Sequence, residues 1–311
     1  MIRSVFRGFR DLYNLSFASY KPITSKTYRL KTKEELYFFS KRSELYAKEK
    51  YNFLYNQGIK NILYPLKNRL GEFVSDYRNE KYFVMDYVNC PDIIGEIRAV
   101  NLLDELTDLH NNTFFKRQLS VDFSRRKMEL LFEYLQYKFN VLEAYIRTLE
   151  TRDFDEFSIP VLKNYRHLLD AKKVMGRIHR RLVSDIKDKK SVYYAFVHNN
   201  PKTNHLLTYR GQRFLTSIEK AKVGITSLDI SKFYLNSKDI NIDLVPLVNQ
   251  YFDKFDDDFY RNYFYFLVLL YYMKGIVIYD KDYVSCQSFL YASTSIKDFL
   301  FAFDLNKDKT E

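Results

Sequence analysis

The feature that most constrains this chain is a change of hydrophobic period near residue 95. Before it, short apolar stretches alternate with polar residues at period 2, as half-buried strands do. After it, apolar residues recur at i, i+3 and i+4, as on the buried face of a helix. No internal repeat accompanies the change. The pattern predicts an α+β chain with a small antiparallel β-rich part, residues 1–89, and a larger helical part, residues 90–311. The boundary falls at Asn89-Cys90-Pro91-Asp92.

Within the first part, strands are expected at Thr24–Lys31, Glu35–Lys41, Ile62–Leu66, Phe73–Asp76 and Lys81–Val88. One helix, Ser43–Gln57, is stopped by Gly58. In the second part, Val100, Leu103, Leu106 and Leu109 mark a helix over Ile97–His110. Further helices are expected over Asp122–Leu149, over Lys163–Ile186 after an opening at Ser158-Ile159-Pro160, and from Ser227 onward. A strand, Val192–Val197, leads into His198. Two more, Leu206–Tyr209 and Arg213–Ile218, form a hairpin turned by Arg210-Gly211-Gln212. The polar tail Asn306–Glu311 reads as frayed.

Hydrophobic residues make up 46% of the 311 residues, enough for a packed core. Tyr (28) and Phe (27) are abundant, so many aromatics are expected in helix and strand cores, and Trp is absent. Glycine is scarce, and none lies between Gly8 and Gly58, so no Gly-rich turn is available there to cradle phosphates. The net charge of +11 admits an anionic partner, but no nucleic-acid recognition motif accompanies it. The densest basic run, Arg177-Ile178-His179-Arg180-Arg181 followed by Lys187, Lys189 and Lys190, reads as an exposed helix face. Cys90 and Cys286 lack metal or redox spacing, which fits a reducing cytoplasm. Met1–Arg10 carries Arg3, Arg7 and Arg10 without the apolar core of a signal peptide. The apolar run Tyr263–Met273 is too short to span a bilayer and reads as a buried helix.

The stretch His198-Asn199-Asn200-Pro201-Lys202-Thr203-Asn204-His205-Leu206-Leu207 resembles the catalytic loop of the aminoglycoside phosphotransferase and choline kinase families, usually His-Gly-Asp-x-x-x-x-Asn-Ile-Leu. Leu215-Thr216-Ser217-Ile218-Glu219-Lys220-Ala221 is similar to their Ile-Asp-Trp-Glu-Lys-Ala segment. Leu103–His110 resembles the helix ending Leu-x-x-Leu-His, and Asp229-Ile230-Ser231-Lys232-Phe233 their Asp-Leu-Ala segment. Tyr37–Lys41, Gln57-Gly58-Ile59, Gly71 and Tyr82–Tyr87 most resemble the CotS-type spore-coat subgroup. The resemblance runs from roughly residue 30 to residue 300.

It implies a protein-kinase-like two-lobed fold. Lys41 would grip nucleotide phosphates and Glu49 would pair with it, while His198 would be a scaffold residue. Asn200 stands where the catalytic Asp belongs, His205 where a Mg²⁺-binding Asn belongs, and Ser217 where a Mg²⁺-binding Asp belongs. Glu219 is the acid left nearby. Asn has no basicity at neutral pH, and losing a general base costs typically ~10²–10⁴ in rate. The implied protein is a pseudokinase, a binding or scaffold protein with a coat or envelope partner, cytoplasmic or spore-associated, and without a cofactor.

The rival is an active phosphotransferase using ATP and Mg²⁺ on a small hydroxyl-bearing substrate, with Glu219 as metal ligand. Two lesser alternatives are a mixed metal site of His198, His205 and Glu219, and a polyanion or nucleic-acid binder resting on charge alone. The acidic cluster Asp253, Asp256, Asp257 and Asp258 lacks the spacing of a Ca²⁺ loop and reads as a helix start.

Overall fold

Period-2 segments build a five-stranded antiparallel sheet in a computed structural model describing residues 10–77, 79–90, 93–118, 121–153, 155–189, 191–279 and 282–306. Arg3 and Arg7, the Pro91-Asp92 end of the expected boundary and the tail after Asn306 lie outside the described residues. The strands are β1 (Phe17–Pro22), β2 (Thr27–Thr32), β3 (Tyr37–Arg42), β4 (Ser75–Tyr77) and β5 (Glu80–Asp86), in the order β1-β2-β3-β5-β4. β1 falls in a stretch with no strand signal of its own, because its side chains are almost all exposed.

Pairing sets Thr27 opposite Lys41, Arg29 opposite Phe39 and Lys31 opposite Tyr37. It also sets Phe39 opposite Met85 and Lys41 opposite Phe83. Directly opposed residues share a face. Leu30, Phe38 and Val84 therefore bury one face with Tyr13, Leu12 and Leu15, and Phe39, Lys41 and Phe83 occupy the other.

Helix α1 (Ala47–Asn56) buries Tyr51, whose ring meets Phe83 edge-on at 5.8 Å. It begins later than its sequence pattern suggests, because the Ser43 N–H donates to the Lys81 carbonyl and prolongs the sheet. Gly58 ends it at φ 72, a conformation that suits glycine. Ile62–Leu66 was expected as a strand and is not one. Leu63 donates to the Leu215 carbonyl at 3.0 Å, and Leu66 donates to Val84 at 2.7 Å. The segment thus laces two strands together, and Pro65, with no N–H, cannot extend a ladder.

The chain forms two compact units. The first comprises Met1–Phe114, Ala195–Gly224 and Asn236–Ile242. It holds the sheet, α1, helix α2 (Gly95–Thr113), and the 195–197 end of β7 (Ser191–Val197) paired with β10 (Lys222–Gly224). It also holds the hairpin β8 (Leu206–Tyr209) and β9 (Gln212–Leu215). Buried Glu105 of α2 fixes β9, with its carboxylate 2.7 Å from Arg213 Nε and accepting from Asn61 at 2.9 Å.

The second unit comprises Phe115–Tyr194, Ile225–Leu235 and Asp243–Glu311. Its long elements are α3 (Val121–Thr151), α4 (Ser158–Asp188), α5 (Ser227–Ser237) as far as Leu235, α6 (Leu244–Phe252), α7 (Phe259–Gly275) and α8 (Asp282–Ala302). The short β6 (Phe115–Gln118) pairs with residues 191–194 of β7. α4 packs against α3, α7 and α8 through Val161, Leu168, Met175, Ile178, Leu182 and Ile186, a stripe at helical spacing. The run Tyr263–Met273 lies within α7, whose side chains are buried nearly all round. Asp257 accepts from the Phe259 N–H at 2.8 Å, so the acidic cluster opens a helix. Asp253 and Asp257 pair with Arg261 and Lys189. Among the described residues, no helix is long and apolar enough to cross a membrane. Cys90 and Cys286 are both free.

Candidate functional site

The loop after β7 is shaped by two imidazoles bonded to main-chain atoms. His198 is fully buried. Its Nε2 lies 2.7 Å from the Thr216 carbonyl, and its Nδ1 accepts from the Asn200 N–H at 3.3 Å. A carbonyl only accepts, so Nε2 carries the proton. His205 places Nδ1 2.8 Å from the Asn200 carbonyl. In a neutral ring this puts the proton on Nδ1 and leaves Nε2 as an acceptor. Burial pushes the His205 pKa down to about 4, against the opposing pull of the Asn200 hydrogen bond.

Thr216 closes the loop, donating to the His205 carbonyl from N–H at 2.9 Å and from Oγ1 at 3.1 Å. Asn199 has φ 63, which Asn tolerates better than most residues. Ser217 also sits left-handed, at φ 61.

Glu219 lies in a 3-10 turn, Ile218–Lys220, with a side chain only 2% exposed. Its Oε1 is 3.2 Å from Lys41 Nζ. Lys50 of α1 donates to its main-chain carbonyl. The carboxylate against Lys41 is therefore Glu219 rather than the expected Glu49, which stands exposed on α1. Glu219 Oε2 is buried without a hydrogen-bond partner, as is the Tyr51 hydroxyl. Burial first, then the Glu219 charge, holds the Tyr51 pKa well above its usual value.

Lys41, His205, Ser217 and Glu219 line one cleft of about 430 Å³, together with Thr27, Phe39, Phe83, Met85, Tyr87 and Asn204. Asn200 and His198 are not among its lining residues. Thr24 and Thr27, from the β1–β2 turn, line it too and were not anticipated as site residues. Their signal was a short polar run, Thr24-Ser25-Lys26-Thr27, between two extended stretches. The turn has no glycine and satisfies its own donors. Ile23 and Thr24 N–H groups donate to the Thr27 carbonyl at 2.8 and 3.2 Å, and Lys26 N–H to Thr24 Oγ1 at 3.2 Å.

These donors do not fit Mg²⁺, which asks for six oxygens in octahedral array. Position 205 offers an imidazole nitrogen and position 217 a hydroxyl, and one oxygen of Glu219 already faces an ammonium. The mixed site of His198, His205 and Glu219 is also overturned, because both His198 nitrogens are bonded to main chain. Among the described residues, no cluster of three or more His, Cys, Asp or Glu could hold a metal.

No family model matches the chain, and no curated protein matches it by sequence. Solved structures do. An aminoglycoside phosphotransferase from Alicyclobacillus acidocaldarius superposes with a TM-score of 0.62 at 14% identity, covering 94% of this chain and 92% of that one. The fold is that of the aminoglycoside phosphotransferases. Spectinomycin phosphotransferase, in complex with ADP and spectinomycin, superposes at 0.54 and 12% identity, covering 97% and 98%. A thermostable mutant of another aminoglycoside phosphotransferase gives 0.51 at 10%, covering 97% and 99%.

Proposed function

We propose that this chain is a kinase-fold protein impaired in phosphoryl transfer, serving as a binding or scaffold protein. The observation that carries this is the partnership of Glu219. The one acid left at the end of the metal-loop segment is engaged by Lys41 through its side chain and by Lys50 through its carbonyl. Asn200 supplies no base, and His205 is neutral and bonded at Nδ1 to the loop. Phosphoryl transfer depends on positioned charge, and here the positions that would supply it are neutral or paired. The partner expected from the spore-coat resemblance is a protein of a coat or envelope assembly, and a chain of 1–89 and 90–311 lobes would present its surface to it.

One observation favours a second reading. Glu219 Oε2 is buried and without a partner, and it belongs to a cleft-lining residue, as a metal ligand awaiting its ion would. Calorimetry with ATP separates the two. The impaired site gives no Mg²⁺-dependent binding in the low micromolar range and no turnover. Tight binding that needs Mg²⁺ and disappears in Glu219→Gln establishes the second reading instead.

A further inference from the structure

Helix α4 buries one apolar stripe in the helical unit and turns a row of cations outward. Arg166, Lys173, Arg180 and Lys187 recur every seven residues, and all four are exposed. Two helical turns separate each from the next, so they share a face, with a drift of about 20° per step. Their spacing is about 10.5 Å, and the row is about 32 Å long. None of the four makes a hydrogen bond or an ion pair with another described residue. Lys163 and Arg181 stand exposed beside the row, also without an ion pair there.

Carboxylates flank this row rather than cap it. Asp170 and Asp188 lie on α4 itself, and Asp188 accepts from Ser184 at 3.5 Å. Asp258 and Asp304 share a recess with Arg177, Arg181 and Arg261, where charge is close to balanced. Asp298 of α8 comes with its neighbour Lys297. On the α3 side, Glu129 is taken by Arg125 at 2.7 Å.

The chemistry of the face selects among polyanions. A helix lying in a membrane surface sinks its apolar side between the lipids. The apolar side of α4 is instead packed against α3, α7 and α8. From Lys163 to Lys187, Leu169 is the one exposed large apolar residue. No exposed Tyr or Phe stands in that span, so the bases of a single strand have nothing to stack on. A row of evenly spaced cations matches a stiff polymer of evenly spaced phosphates. The guanidinium of arginine adds a planar fork suited to phosphate oxygens.

We infer that the outer face of α4 binds double-stranded nucleic acid through its phosphate backbone, without reading base sequence. This is independent of the Lys41 cleft and goes beyond its catalytic state.

The test is fluorescence anisotropy of the full chain with a labelled DNA duplex of about 20 base pairs, titrated at several salt concentrations. Four phosphate contacts give a slope of log affinity against log salt of about −3.6, a loss of roughly 100-fold between 50 and 200 mM salt. A duplex of unrelated sequence should bind equally well. Lys173→Gln combined with Arg180→Gln removes two cations of the row and should flatten the slope by about 1.8. Lys33→Gln combined with Lys60→Gln removes the same charge from exposed positions of the first unit and should leave the slope unchanged. All four positions are exposed, and circular dichroism should show both variants folded as the parent is. The inference fails if the duplex does not bind at low salt, if both double variants weaken binding alike, or if a single strand of the same length binds more tightly. It fails equally if phosphatidylserine-containing phosphatidylcholine vesicles, and not the duplex, bind in a manner that depends on Lys173 and Arg180.

Discussion

His205 shows how one side chain governs the behaviour of a loop. Its imidazole is a titratable group in a partly buried setting, where burial lowers its pKa from 6.5 to about 4. The sign follows. Below pH 6.5 the unfolded chain takes up a proton at this position and the folded chain does not, until about pH 4. Stability is therefore fully present above pH 6.5, falls as the pH drops through that window, and levels off below it. Discounted for solvent screening, the loss is about 1–2 kcal/mol. Urea unfolding at pH 7 and pH 5 checks this. His205→Asn should show a smaller decline between the two than the parent, and equal declines would remove His205 as the cause.

At the scale of elements, α1 is tied to the cleft through the turn at 218–220. Lys50 reaches the Glu219 carbonyl, and Tyr51 lies buried beside the same residue. The Tyr51 hydroxyl has no partner, so its desolvation is uncompensated. Tyr51→Phe should leave stability unchanged or raise it by up to about 1 kcal/mol. Glu219→Gln should cost about 1–3 kcal/mol by stranding Lys41. Denaturant midpoints measure both, and a destabilised Tyr51→Phe would mean that a bridging water satisfies the hydroxyl.

Elements were also where the sequence was most legible. Period-2 segments located β2, β3 and β5, and Gly58 marked the end of α1, because burial on one face leaves a pattern in the residues. Ile62–Leu66 misled because buried apolar residues look alike in a strand and in a connecting segment. The short β6 and β10, and the exposed β1, carry no burial pattern at all. In the site, the motif drew attention to His198, whose ring is buried with both nitrogens bonded to main chain. The Lys41–Glu219 pair was not legible, since its partners are far apart in sequence and the motif suggested Glu49.

Across the described residues, aromatic side chains share the core with Leu and Ile. In the helical unit, Tyr234, Phe264, Tyr265, Phe299 and Phe303 form one cluster, with Phe299 and Phe303 centroids 4.9 Å apart and Phe264 to Phe303 5.6 Å. Phe264 is fully buried and meets several of these rings. Phe264→Ala should cost about 3–5 kcal/mol, the range for deleting a large buried ring. Thermal or denaturant unfolding should report it, and a loss below about 1 kcal/mol would show that neighbouring rings collapse into the space.

The loop after β7, finally, bears on how far this chain lies from other chemistries. Asn200 is gripped through its N–H and its carbonyl, and Ser217 contributes a left-handed backbone turn. Neither side chain carries the loop's shape. Evolution could therefore exchange what these positions offer to a ligand without first rebuilding the scaffold. A carboxylate at each of them lies only two amino-acid replacements away.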